Sequence, residues 1–110
     1  MRLGILLTTS SEHHNSATAL RVARAALELG HQVEFFLMDD GVYNVMDPLN
    51  NPVAKEFASL HAQGGTITLC GSNCDPRGVT KETAIPGLTI GSQYDHAKIL
   101  HEADRFLVFS

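Results

Sequence analysis

The sequence predicts an α/β fold, with a mainly parallel sheet of four to five strands and helices on both faces. Two observations carry this. Short apolar, β-prone runs alternate with stretches whose apolar residues recur at helical spacing, in the order β-α-β-α-β-(β)-α-β. The first of those runs is continuously apolar, as a strand covered on both faces requires. With 110 residues and 44% hydrophobic content, the chain is expected to form one domain over its whole length, residues 1–110. A domain this small buries a lower share of its surface than a larger one, which favours association with other subunits.

Leu3 to Leu7 is the first strand. The polar residues Thr8 to Asn15 form a turn, and Asn15 or Ser16 is expected to cap the helix that follows. Ala19, Val22, Ala23, Ala26 and Leu27 recur at helical spacing, and Gly30 is a stop signal. Gln32 to Met38 reads as the second strand. Asp39 to Asn44 is a turn cluster with apolar insertions. Pro52 suits a first helical turn with Asn51 as its cap, and Val53, Phe57 and Leu60 make the stripe that Gly64-Gly65 ends. Thr66 to Cys70 is the third strand. Residues 79–86 show no period. Leu88 to Ile90 reads as a short strand, Ser92 or Asp95 as the start of a helix through Leu100, and Phe106 to Phe109 as the last strand.

Charge and composition exclude some classes of function. The net charge of −4 is spread along the chain with no basic stripe, which argues against direct nucleic-acid binding. Met1 to Leu7 is apolar but too short for a signal sequence or a membrane span, so a cytoplasmic protein is expected. There the two cysteines are reduced and a structural disulfide is not expected.

Cys70 is the residue that most invites a chemical reading. It ends a strand and spills into Gly71-Ser72-Asn73-Cys74-Asp75-Pro76-Arg77-Gly78. In open α/β sheets, ligands bind beyond the carboxyl ends of the strands. Backbone N–H groups after Cys70 and the permanent charge of Arg77 would favour a thiolate, and Gly71 and Ser72 would leave room for a group on the sulfur. These features suit a nucleophile or a persulfide carrier. A small apolar core residue is the competing reading, because free cysteine is often buried.

Spacing excludes several named motifs. Six residues separate Cys70 from Arg77, too many for a phosphatase-type loop. Three residues separate Cys70 from Cys74, whereas a thioredoxin motif has two. Cys74 could still resolve a mixed disulfide if the loop folds as one helical turn. His13, His14, His31, His61, His96 and His101 are scattered, with no short zinc-ligand spacing, so no metal and no cofactor is expected. His13-His14 could face the same sheet edge as Cys70, as a base or simply as an exposed loop. Asp39-Asp40 reads as turn-forming rather than as acid/base carboxylates. Tyr43 and Val42, apolar residues in a turn, either tuck under the loop or meet another subunit.

Taken together, these residues resemble the DsrE/TusD-like family of small sulfur-relay proteins. The resemblance rests on the Ala-rich helix ending Leu29-Gly30-His31, on Asp40-Gly41-Val42-Tyr43-Asn44, on Cys70 with Arg77-Gly78, and on the ending Ala103 to Phe109. It implies a three-layer α/β/α sandwich. It also implies assembly into trimers, hexamers or heteromers with related subunits, and a persulfide carried on Cys70 between a protein sulfur donor and an acceptor thiol. Relays of this kind serve sulfur oxidation and tRNA thiolation. Close relatives are alanine-rich after the cysteine, whereas Gly71, Asn73 and Pro76 are expected to break a helix here. A non-catalytic assembly subunit and a small-ligand binder of the same fold remain the alternatives.

Overall fold

Side chains of a strand point alternately to its two faces. Each strand here therefore contributes to two separate apolar layers. In the computed structural model, which describes residues 1–110, five strands form one sheet in the order β4-β3-β2-β1-β5, every pair parallel. They are β1 (Arg2–Leu7), β2 (Gln32–Leu37), β3 (Thr66–Cys70), β4 (Thr89–Gly91) and β5 (Arg105–Phe109).

Leu3, Ile5 and Leu7 of β1, Val33, Phe35 and Leu37 of β2, and Ile67 and Leu69 of β3 pack with α1 (His14–Glu28) and α2 (Pro52–Ala62). The helices contribute Ala19, Leu20, Ala23, Ala54, Phe57 and Leu60 to this main core. Phe57 meets Phe35 edge to face with ring centroids 5.1 Å apart. Burying a side chain of this size stabilises the fold by about 1.5–3 kcal/mol. The opposite face is thinner. There Phe36, Cys70 and Ile99 form a small cluster under α4 (Gln93–Glu102), with Leu6, Met38 and Phe106 around it.

The sheet is all-parallel, where a mainly parallel one was expected. The cap of α1 also differs. His13, neither Asn15 nor Ser16, is the N-cap, its Nδ1 accepting from the Asn15 N–H at 3.1 Å. An imidazole nitrogen lacking its proton serves as the acceptor that capping needs. Asn15 and Ser16 lie inside the first turn, and Ser16 is buried. The capping roles of Asn51 and Ser92 follow the sequence, and Ser92 forms a reciprocal capping box with Asp95. The turn after β2 is a 3-10 helix, Asp39–Val45. The segment without a period, residues 79–86, buries Val79 and Ile85 against the main core. It also bonds back to that 3-10 helix, Ile85 N–H to Val45 O at 3.0 Å. No helix is long and apolar enough to cross a membrane.

Candidate functional site

An all-parallel sheet brings the carboxyl ends of its strands to one edge. The Asp39–Val45 turn follows β2, the Cys70 segment follows β3, and α4 starts just after β4, so all three gather there. Side chains join the first two. The Asp39 N–H donates to Asn73 Oδ1 at 2.9 Å, and Arg77 Nε donates to Asp40 Oδ1 at 3.0 Å. Arg77 Nη1 also donates to the Asn73 carbonyl at 3.2 Å.

Gly71, Asn73 and Pro76 do not break the chain after Cys70. A helical turn, α3 (Gly71–Cys74), forms and runs into a 3-10 turn at Asp75–Arg77. Pro76 sits in the first turn of that second segment, where a missing N–H costs nothing. Gly78 then ends it in the left-handed region at φ 69.

Cys70 is the last residue of β3, in register with Gly91 of β4, and is 4% exposed. It is the N-cap of α3, and its side chain makes no capping bond. Its Sγ packs with Phe36 and Ile99 and accepts from Gln93 Nε2 at 3.6 Å. Gln93 Nε2 also reaches Met38 Sδ at 3.7 Å, and Gln93 Oε1 lies 2.9 Å from His96 Nδ1. The His96 ring stacks on Phe36, centroids 4.8 Å apart at 11°. The sulfur therefore sits under a polar side chain from the first turn of α4.

Cys74 belongs to the other face. It is buried in the main core, whereas Cys70 belongs to the smaller cluster. Burial pushes the Cys74 thiol up to about 11, with the neighbouring Cys70 and Asp75 adding to the effect. Both cysteines are free.

The other sequence-selected residues divide by environment. Ser72 is exposed at the mouth of α3. A β-carbon on Gly71 would meet Gly91 O at 3.2 Å and Ile90 Cγ2 at 3.3 Å, so the space it leaves faces β4. Arg77 is engaged by Asp40 and Asn73. A β-carbon on Gly41 would overlap the Leu7 carbonyl, so that close approach requires glycine. Asn44 is fully buried. Its Nδ2 donates to Thr9 O and Gly41 O, both at 2.8 Å, and its Oδ1 accepts from Ser16 Oγ. Tyr43 is half-buried on an open cleft of about 560 Å³, with Ser10, Glu12, Asp47 and Asn50. His13 and His14 are exposed, with ring centroids 4.3 Å apart at the start of α1. No three His, Cys, Asp or Glu side chains converge anywhere in the molecule.

Gln93, His96, Met38 and Phe36 surround the sulfur; the sequence weighed His96 only as a metal ligand and did not single out the other three. The capping signal at Ser92 and Asp95 places Gln93 at the first helical position. Only the return of α4 across the sheet, from β4 to β5, brings it over Cys70.

Comparison with known proteins bears on the family and the fold. The profile of the DsrE/DsrF-like family matches residues 1–109. The chain is 27% identical over 114 residues to the uncharacterized protein MJ0989 of Methanocaldococcus jannaschii, covering 99% of this chain and 100% of that protein. It is 30% identical over 96 residues to the uncharacterized protein MK0008 of Methanopyrus kandleri, covering 84% and 79% respectively. Among solved structures, the ychN protein from E. coli superimposes with a TM-score of 0.85 at 24% identity, over 98% of this chain and 97% of that one. A protein of unknown function from Methanobacterium thermoautotrophicum, MTH1491, gives 0.81 at 13% identity over 96% and 97%. At such identities these two structures show a common fold.

Proposed function

We propose that this chain, which belongs to the DsrE/DsrF-like family, is a sulfur carrier that holds sulfane sulfur as a persulfide on Cys70. The observation that carries the reading is the place of the sulfur. Cys70 ends a strand at the carboxyl edge of the sheet, and an exposed side chain, Gln93, donates to its Sγ at 3.6 Å.

In the forward step the Cys70 thiolate attacks the outer sulfur of a donor persulfide. A new S–S bond forms on Cys70 as the donor's S–S bond breaks, and the electron pair leaves with the donor thiolate. There is no net oxidation, and the same exchange in reverse delivers the sulfur to an acceptor thiol. Both partners are proteins bearing thiols, in a reducing, cytoplasmic compartment. The thiol of Cys74, raised to about 11 and buried on the other face, is poorly suited to resolving a mixed disulfide at neutral pH.

The chain is proposed to work as an oligomer of identical or related subunits. One face of the sheet carries α1 and α2, the other α4 alone. A second reading, an assembly subunit without chemistry, draws on the low exposure of Cys70. Native-state alkylation separates the two, since an inert core thiol resists the reagent until the protein unfolds.

The direct test is mass spectrometry after incubation with a low-molecular-weight persulfide. Wild type is expected to gain the mass of one sulfur atom on the Cys70 peptide, and Cys70→Ser to gain none. Equal gain by the variant would overturn the assignment.

A further inference from the structure

Donor and acceptor chemistry fixes how the Gln93 amide is turned. A thioether sulfur accepts hydrogen bonds and cannot donate, so the amide nitrogen faces Met38 Sδ and Cys70 Sγ, at 3.7 and 3.6 Å. The amide oxygen is left toward His96, and it only accepts. Nδ1 of His96, 2.9 Å away, therefore carries a proton. The imidazole is in turn fixed flat against Phe36. The chain of contacts runs Cys70–Gln93–His96–Phe36, and three of these four side chains belong to no motif that the sequence displays.

We propose that Gln93 is a hydrogen-bonding gate over Cys70, latched by His96, that swings aside when sulfur is loaded and then holds the outer sulfur. The proposal rests on the sulfur-carrier reading. Around the sulfur, Phe36 and Ile99 are buried in the sheet–helix layer, whereas Gln93 is exposed. It is therefore the group that can leave without disturbing the core. A persulfide places a second sulfur beyond Sγ, and the Gln93 nitrogen at 3.6 Å already stands in contact there. Loading must move the amide.

The motion is confined to the side chain. Ser92 and Asp95 close a reciprocal capping box, which holds the backbone of the first turn in place. Once displaced, the amide N–H groups meet an anionic sulfur, a stronger acceptor than a neutral thiol. Gln93 and His96 are positioning residues in this scheme, since the bond changes occur at sulfur.

Three single variants and one double variant of the whole chain test it, the first two and the double read by the native-state alkylation rate of Cys70 with iodoacetamide and the third by persulfide lifetime. Gln93→Ala removes the lid and is expected to raise the rate about tenfold. His96→Phe keeps the stacked ring but deletes the Nδ1–H, and is expected to raise the rate several-fold when Gln93 is present. In the Gln93→Ala background His96→Phe should add nothing, because its effect passes through the amide. Gln93→Met keeps the bulk and loses the donors, so its persulfide should be lost to dithiothreitol several times faster than that of wild type.

Wild-type alkylation in Gln93→Ala would overturn the gate. An additive double mutant would overturn the latch, and an unchanged persulfide lifetime in Gln93→Met would overturn the hydrogen bond. If wild type takes up no sulfur on Cys70, the carrier reading fails, while the alkylation rates still decide gate and latch.

Discussion

Arg77 and Asp40, 37 residues apart in sequence, meet with Nε and Oδ1 3.0 Å apart and tie the loop after β3 to the turn after β2. The sequence directs attention to Arg77 as a cation for an anionic sulfur. In the fold its Nε is engaged by Asp40 and its Nη1 by the Asn73 carbonyl. Together with the Asp39 N–H bond to Asn73 Oδ1, this makes the guanidinium a brace for the Cys70 segment.

The brace is open to solvent on the Asp40 side, so its energetic value is modest. Arg77→Ala and Asp40→Ala are each expected to lower stability, with a coupling of about 0.2–1 kcal/mol in a double-mutant cycle. Urea denaturation of the four proteins measures it. Zero coupling would mean that the two side chains are neighbours without being partners.

Asn44 is the stronger tie at the same edge. It joins the carbonyls of Thr9 and Gly41 and the hydroxyl of Ser16, and it is 0% exposed. Asn44→Ala leaves the buried Gly41 carbonyl and the part-buried Thr9 carbonyl without their donor, and should cost roughly 2–4 kcal/mol. Asn44→Asp should cost no less, since an ionised carboxylate cannot donate to either carbonyl. The shift in denaturation midpoint tests both, and a loss below about 1 kcal/mol would mean that other donors satisfy these groups.

The elements were legible wherever the signal is local. Gly30 ends α1 in the left-handed region at φ 87, and Asn51 and Ser92 cap their helices. Each of these is a choice made within a few residues. Cys70 at the mouth of a strand was legible for the same reason. The cap at His13 was hidden, because imidazole becomes a capping acceptor only in one tautomer. The helical turn after Cys70 was hidden because propensity disfavours Gly71 and Asn73 there. Tertiary bonds from Asn73 to Asp39 and from Arg77 to Asp40 hold that stretch from outside. Gln93 and His96 could not be placed over the sulfur without knowing that β4 is the edge strand beside β3. Strand order is a long-range property that no spacing records.

Cys74 gives a pH dependence whose sign follows from its burial. Its thiol is raised to about 11 in the folded protein, above the roughly 8.5 of a free cysteine. Between those values the unfolded chain has lost a proton that the folded chain keeps, so stability falls as pH rises. The contribution is whole below about pH 8 and is lost through about pH 11, with an upper size of a few kcal/mol. Cys74→Ala should flatten the decline in urea-derived stability over that window. An unchanged slope would show that Cys74 is not its source. At neutral pH Cys74 should also be alkylated far more slowly in the folded than in the unfolded protein.

The thinner face of the sheet carries the prediction for assembly. Alternation puts Gly4, Leu6, Glu34, Phe36, Phe106 and Val108 on that face, with α4 as its cover. Val108, in register with Leu6, is 59% exposed, and Leu100 of α4 is 52% exposed. A stable contact needs about 800 Å² from each partner, and this face offers exposed apolar side chains toward it. Wild type should therefore sediment at a multiple of the monomer mass at micromolar concentration. Val108→Lys and Leu100→Lys place a charge in that contact and should shift the protein toward monomer, with little effect on the unfolding of the subunit itself. A wild type that sediments as a monomer at that concentration, or lysine variants that assemble as well as it does, would remove this face from the interface.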